Sequence, residues 1–379
     1  MRRAPPVPPV ERAFLLGALF HGALDQPRLR ALAAGPIDWP VLVAGAEAHF
    51  LGAVLFDSLH AAGVAASVPA PLLARLRAAA ARVATRNAAL LRAAGRACQL
   101  LAAGGVGVTA LKGTGLAVHA PRYFNIRCQS DVDLLVARGQ VRSAARLLLA
   151  GGFVPARAYA HLVGLDGRSP LDETSPLPPG HHLLPLVSPE GATVELHFEL
   201  PGRLPPETLD AVQGEVVAGP GGIRTSGQDA LLGLLCAHVH VHHEREPAFL
   251  LRHVADVVVL VAAGGSLERA RRAFGPSVDA SRLLVEEARR SVAEPGRRAA
   301  GLAEAALAGR RWRLRHPVAA WRSAFRGRWA MVLDGGVRAL CPSPRFMAQR
   351  YGMSLRSPLL PLTYPWRLLS ALGRALTGR

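Results

Sequence analysis

Lysine is almost absent from this sequence: of 45 lysines and arginines in 379 residues, Lys112 is the single lysine. A compact, strongly hydrated ammonium is not interchangeable with a planar guanidinium. A chain that has filled its other cationic positions with arginine therefore marks Lys112 as a place where the smaller cation matters. Cysteine is scarce too. Cys98, Cys128, Cys236 and Cys341 lie far apart and form no CxxC pair, which excludes a zinc signature and a disulfide framework and suits a reducing compartment. No uninterrupted apolar run reaches the ~18 residues of a membrane span, and the longest candidate, Val254 to Ala263, is broken by Asp256. Arg2, Arg3 and the apolar stretch Phe14–Phe20 imitate a signal peptide, but Glu11 and the lack of a small-residue cleavage site argue against one. The expected location is the cytoplasm.

Acidic residues are missing mainly from one end. From Arg310 to Arg379 fourteen arginines face one acid, Asp334, so +13 of the formal +18 belongs to this tail. The basicity is regional, and the whole chain need not bind nucleic acid.

The pattern along the chain divides it into an N-terminal helical region (1–103), a core with strands (104–203), a C-terminal helical region (204–300) and a basic Arg/Trp-rich tail (301–379). Residues 1–11 are Pro- and Arg-rich and are expected to be unstructured. From about Arg12 to Leu101, apolar residues such as Leu72, Leu73, Leu76, Val83, Leu90 and Leu91 recur at helical spacing, predicting four or five helices. Val106–Leu111 and Ser130–Val136 read as buried strands, with Lys112-Gly113-Thr114-Gly115 where the first passes into a helix. Val141–Ala150 reads as a helix, 164–180 as a polar loop, and His181–Val187 with Thr193–Leu200 as a hairpin. After Pro201 the pattern is helical again. Ser226 and Asp229 approximate a capping box, and a further helix covers about Ala248–Ala262.

Asp131 and Asp133 are two apart on a strand, so their carboxylates share one face roughly 6–7 Å apart. Aspartate is depleted in strands, and two like charges there call for a positive partner. A pair of divalent ions meets that need and clamps the oxygens of a phosphoryl displacement; solvated aspartates on an edge strand are the plainer explanation. Thr193–Leu200 alternates strictly, placing Thr193, Glu195, His197 and Glu199 on one polar face. Glu195 or Glu199 can supply a third carboxylate. His197 can orient a ligand, take a proton or simply hydrogen-bond within the sheet. Free N–H groups at a helix start attract phosphate, and Gly113 allows close approach.

Together, Leu111-Lys112-Gly113, Arg127-x-x-Ser130-Asp131-Val132-Asp133-Leu134-Leu135-Val136, His181-His182 and Val194-Glu195-Leu196-His197 resemble a bacterial family described as uncharacterised nucleotidyltransferases. That family is similar to the polymerase-β-type nucleotidyltransferase superfamily, and the likeness covers roughly 35–260. The resemblance implies an α+β fold, a small mixed β-sheet core flanked by N-terminal and C-terminal helical regions. It implies two magnesium ions held by Asp131, Asp133 and Glu195, the last preferred over Glu199 on the family pattern. A nucleoside triphosphate such as ATP would be bound by Lys112, Gly113, Thr114, Arg127 and Ser130. Lys112-Gly113-Thr114 stands where the superfamily usually has Gly-Ser. The acceptor, whether small molecule, sugar or peptide, is not implied.

Two features stand apart. His238, His240, His242 and His243 cluster near a helix end without an HExxH pattern, which favours a solvated or acceptor-contacting end over zinc. Trp312, Trp321, Trp329 and Trp366 sit among the arginines of the tail. That mixture suits ordinary helices packed on the body, a peripheral contact with an anionic membrane at its inner face, or nucleic acid. The alternatives to a transferase acting on a free acceptor are a membrane-associated nucleotide-binding protein without turnover and a nucleic-acid end-modifying enzyme.

Overall fold

The computed structural model describes residues 9–19, 26–156, 177, 181–183, 185–200, 204, 206–242 and 250–293. All lie in one compact unit, Met1–Ala156 with Pro176–Arg313. Apart from Leu177, the expected loop of 164–180 is largely outside the described residues, as are His243 and the whole basic tail.

Five helices precede the sheet: α1 (Pro9–Leu19), α2 (Gln26–Ala33), α3 (Trp39–Ala48), α4 (Gly52–Ala61) and α5 (Ala70–Ala103). The first begins inside the stretch expected to be unstructured. Its apolar face explains why: Phe14, Leu15 and Leu16 are fully buried, and buried Glu11 accepts a hydrogen bond from the backbone N–H of Asp38 at 2.7 Å. The segment that imitates a signal peptide thus supplies core. Asp38 in turn caps α3, its Oδ1 accepting from the N–H of Val41. α5 is 34 residues of mostly alanine, leucine and arginine, good helix formers. It buries Leu76, Leu90, Ala94, Cys98 and Leu101 and packs against α4 and the sheet. It stops at Gly104, where a Cβ would stand 2.3 Å from the side chain of Leu147.

The chain then runs β1 (Val108–Ala110), α6 (Lys112–His119), α7 (Pro121–Ile126), β2 (Asp131–Val136), α8 (Val141–Ala150), β3 (Val154–Pro155), β4 (Leu186–Val187) and β5 (Thr193–His197). It continues with α9 (Pro206–Gly214), β6 (Val216–Ala218), β7 (Arg224–Ser226), α10 (Gln228–His242), α11 (Leu250–Ala262), α12 (Leu267–Phe274) and α13 (Pro276–Ala293). The strands form one seven-stranded mixed sheet in the order β3-β4-β5-β2-β1-β7-β6. β2 is antiparallel to β1 and parallel to β5, and β1 is parallel to β7. The α+β architecture is the one expected, and the hairpin of β4 with β5 forms as predicted.

The region after Pro201 differs from the expectation of helix alone. β6 and β7 are paired strands of three residues, joined through Gly221 and Gly222, whose φ values of +66° and +80° suit glycine. Three residues are too few to show a period of two. Ser226 therefore ends a strand rather than capping α10. Asp229 accepts from the backbone N–H of Ser266 at 2.6 Å and pairs with Arg269, tying α10 to α12.

α10 lies close against α12 because Gly233 has no side chain: a Cβ there would meet the Phe274 ring at 2.1 Å. Gly233→Ala should therefore lower stability by about 1–3 kcal/mol through overpacking. Gly139→Ala, where a Cβ meets nothing, should change it by less than about 0.5 kcal/mol. Urea denaturation of both variants checks the contrast.

Candidate active site

The parallel pairing of β2 with β5 sets Asp131 beside Thr193 and Asp133 beside Glu195. Because side chains alternate along a strand, Val132 and Leu134 turn to the other face, where both are fully buried. The polar face is more buried than expected for β5, since His197 is 0 % exposed. One oxygen, Oδ1 of Asp133, accepts from Lys112 Nζ at 2.7 Å and from His197 Nε2 at 2.8 Å. His197 Nε2 also lies 3.5 Å from Glu195 Oε2.

Lys112 opens α6 with φ at +47°, a left-handed conformation uncommon outside glycine. Its ammonium is thereby in place on Asp133. Gly113 follows because nothing larger fits: a Cβ there would stand 2.2 Å from Gln129 Oε1 and 2.7 Å from Arg127 Nη1. Thr114 is buried, its hydroxyl accepting a 3.4 Å bond from Gln129 Nε2. Gln129 also donates to the carbonyl of Asp131 at 2.8 Å. Ser130 is exposed, and its carbonyl accepts a hydrogen bond from Arg86 at 2.9 Å.

Arg127 is turned to a partner more than a hundred residues away. Its Nε and Nη2 donate to the two oxygens of Asp256 on α11 at 2.7 and 2.8 Å, and the Tyr123 hydroxyl donates to the same carboxylate at 2.8 Å. Arg127 and Asp256 are 6 % and 2 % exposed. Arg252 and His253, near Asp256 on α11, add their charge to it but hydrogen-bond elsewhere: Arg252 donates to the carbonyl of Cys128 and His253 bonds Ser281.

These groups surround a cavity of about 310 Å³. Its lining combines the carboxylates of Asp131, Asp133 and Glu195 with the cations of Lys112, Arg127 and Arg252 and the histidines His181, His182 and His238. Thr114 is not on the wall. Burial alone would raise the carboxyl of Asp133, but Lys112 and His197 hold it well below the ordinary range. Burial likewise opposes the charge on Lys112 and on His197, yet the neighbouring carboxylates raise both. Glu195 is lowered against its burial, chiefly by His197. Asp131 goes the other way: burial, then Asp133 and Glu195, raise it. The three carboxylates thus carry repulsion that Lys112 does not remove, and oxygen donors with such a charge excess fit a divalent cation. Among the described residues, Asp133, Glu195 and His197 bring ligand atoms within 4.8 Å of one another. Asp131 stands outside that group, and His197 joins it.

Gln129, His182 and Arg252 line the cavity without having been singled out individually in the sequence. His181-His182 belonged to the resemblance, but no spacing identifies Gln129 or Arg252.

The cavity thus brings three carboxylates together with lysine, arginine and histidine side chains. Residues 35–304 match a family described as uncharacterised nucleotidyltransferase, and the chain belongs to that family. No curated protein and no solved structure matches it. Membership supports nucleotidyl transfer with a nucleotide as substrate.

Two outcomes follow from the charges. Asp256→Asn leaves Arg127 buried without its counter-ion and should cost about 3–5 kcal/mol, read by urea denaturation. Asp133 and Asp256 have folded-state values below the ordinary 3.8, so their contribution is complete above that pH and is lost as pH falls through and below about 4. Asp131, raised, contributes in the opposite sense. Unfolding measured from pH 7 to 3 should show stability falling below about pH 4, with a shallower fall in Asp256→Asn.

Proposed function

We propose that the protein transfers a nucleoside monophosphate from a nucleoside triphosphate to a hydroxyl or phosphate of a small-molecule, sugar or peptide acceptor. The acceptor oxygen forms a bond to the α-phosphorus, the bond between that phosphorus and the bridging oxygen breaks, and pyrophosphate leaves. The observation that carries this reading is the register of Asp133 with Glu195 beside Asp131, at a cavity also lined by Lys112, Arg127 and Arg252. Asp131, Asp133 and Glu195 would hold divalent ions, magnesium with the incoming nucleotide, which polarise the phosphoryl group and steady the attacking and leaving oxygens.

The chain's own groups do the rest. Lys112 neutralises the triphosphate, Gly113 lets its backbone approach, and Ser130 at the rim contacts a phosphate oxygen. Arg127, fixed by Asp256, offers positive charge without needing to be reoriented, which is the economy of a preorganised site. Thr114 supports the turn through Gln129. The acceptor enters beside His181, His182 and His238.

A second reading, nucleotide binding without turnover, is favoured by the contacts on Asp133, whose Oδ1 already serves Lys112 and His197. Calorimetry with magnesium and each triphosphate, run beside a pyrophosphate assay, separates the two. Tight binding without pyrophosphate supports the sensor. Residues 310–379, with their arginines and tryptophans, support a further proposal of peripheral contact with an anionic membrane, nucleic acid being the lesser fit.

Asp133→Asn should lower nucleotide transfer at least about a hundred-fold with the circular dichroism spectrum unchanged; an unaltered rate would rule out the carboxylate site. Asp131→Asn should also lose activity, yet gain about 1 kcal/mol of stability in metal-free protein by relieving the repulsion from Asp133 and Glu195. Thermal melts in chelator test that opposite effect.

A further inference from the structure

The donor set on β5 is not all oxygen. Magnesium takes oxygen ligands and retains its waters, whereas imidazole suits zinc, copper, iron and nickel. His197 is fully buried in the sheet, with Nε2 between Asp133 Oδ1 at 2.8 Å and Glu195 Oε2 at 3.5 Å. Its other nitrogen, Nδ1, is buried with no hydrogen-bond partner. Asp133 and Glu195 thus hold the ring proton on Nε2 between them, and an ion arriving there replaces that proton.

His182 stands beside this group, its Nδ1 2.7 Å from the carbonyl of Leu183 and its Nε2 3.9 Å from Glu195 Oε2. Among the described residues, the ligand atoms that lie within 4.8 Å of one another are those of Asp133, Glu195 and His197. Ligand atoms bind zinc at about 2.0–2.2 Å, so one ion can bridge donors up to about 4 Å apart. Nε2 of His197 lies within that reach of both acids, 2.8 Å from Asp133 Oδ1 and 3.5 Å from Glu195 Oε2.

We propose that Asp133, Glu195 and His197 form a mixed nitrogen–oxygen centre that takes a first-row transition ion such as zinc in preference to magnesium. This rests on the metal-dependent reading above and divides it. Asp131 stands outside the centre, so the magnesium that accompanies the nucleotide and the resident ion occupy chemically different positions sharing Asp133. As the ion binds, the Nε2–H bond of His197 breaks, the proton leaves to solvent and the nitrogen lone pair goes to the metal.

Calorimetric titration of the purified, chelator-treated full chain with zinc, manganese and magnesium chlorides tests this directly. Zinc should bind at least about a hundred-fold more tightly than magnesium. His197→Ala should weaken zinc at least about ten-fold. The unsubstituted protein loaded with manganese should show nitrogen coupling in its electron spin-echo spectrum, a readout independent of whether any variant folds. Zinc binding no tighter than magnesium, or bound manganese without nitrogen coupling, overturns the proposal. Pyrophosphate release from a triphosphate is measured separately. Zinc bound through nitrogen without any such release supports the centre and overturns the transferase reading instead.

Discussion

The site depends on like charges held together by strand register. Parallel strands lie about 4.8 Å apart, so pairing β2 with β5 as Asp133↔Glu195 fixes two carboxylates side by side, with Asp131 two residues along. The sheet cannot relieve that repulsion by slipping one residue, because the slip would turn Val132, Leu134, Val194 and Leu196 out of the core. Hydrophobic burial on one face thus enforces electrostatic crowding on the other. The surroundings answer it: a lysine in a left-handed conformation, a buried histidine between two acids, and a glycine that lets Gln129 and Arg127 come close.

Much of this was legible because it is local. The alternation in Thr193–Leu200 placed Glu195 and His197 on one face, and the helical spacing from Arg12 onward gave the five N-terminal helices. What stayed hidden was either too short or too distant in the chain. Three-residue strands such as Val216–Ala218 carry no period, so β6 and β7 could not be read. The end of the stretch 1–11 read as unstructured because the partner of buried Glu11, the N–H of Asp38, lies 27 residues on. His197 was readable as a polar-face residue but not as a buried one, since burial depends on the hairpin that lays His182 against it.

The pairing of Arg127 with Asp256 illustrates the same limit and changes what both residues mean. Read locally, Asp256 neutralises Arg252 or His253 within its own helix, and Arg127 is free for a ligand. Folded, the two meet across the cavity wall, joined by Tyr123. Helix α11 is therefore anchored to the segment that leads into β2 by a fully desolvated ion pair. Such pairs add little net stability but are costly to break from one side. Their value here is geometric: the guanidinium has one orientation before any ligand arrives.

That contrast explains why one position kept a lysine when every other cation became arginine. Arg127 grips Asp256 with two N–H groups, one to each oxygen, and Tyr123 adds a third bond. The carboxylate is closed to anything else. At Asp133 the ammonium of Lys112 is a point donor, and both it and His197 fall on Oδ1, leaving Oδ2 without either contact. A guanidinium at position 112 would fit both oxygens as its planar fork does at Asp256. Lysine meets the aspartate at a single oxygen, whereas Arg127 takes both oxygens of its partner. The same cavity thus contains one carboxylate gripped across both oxygens and one held at a single oxygen, and the cation at each decides which is which.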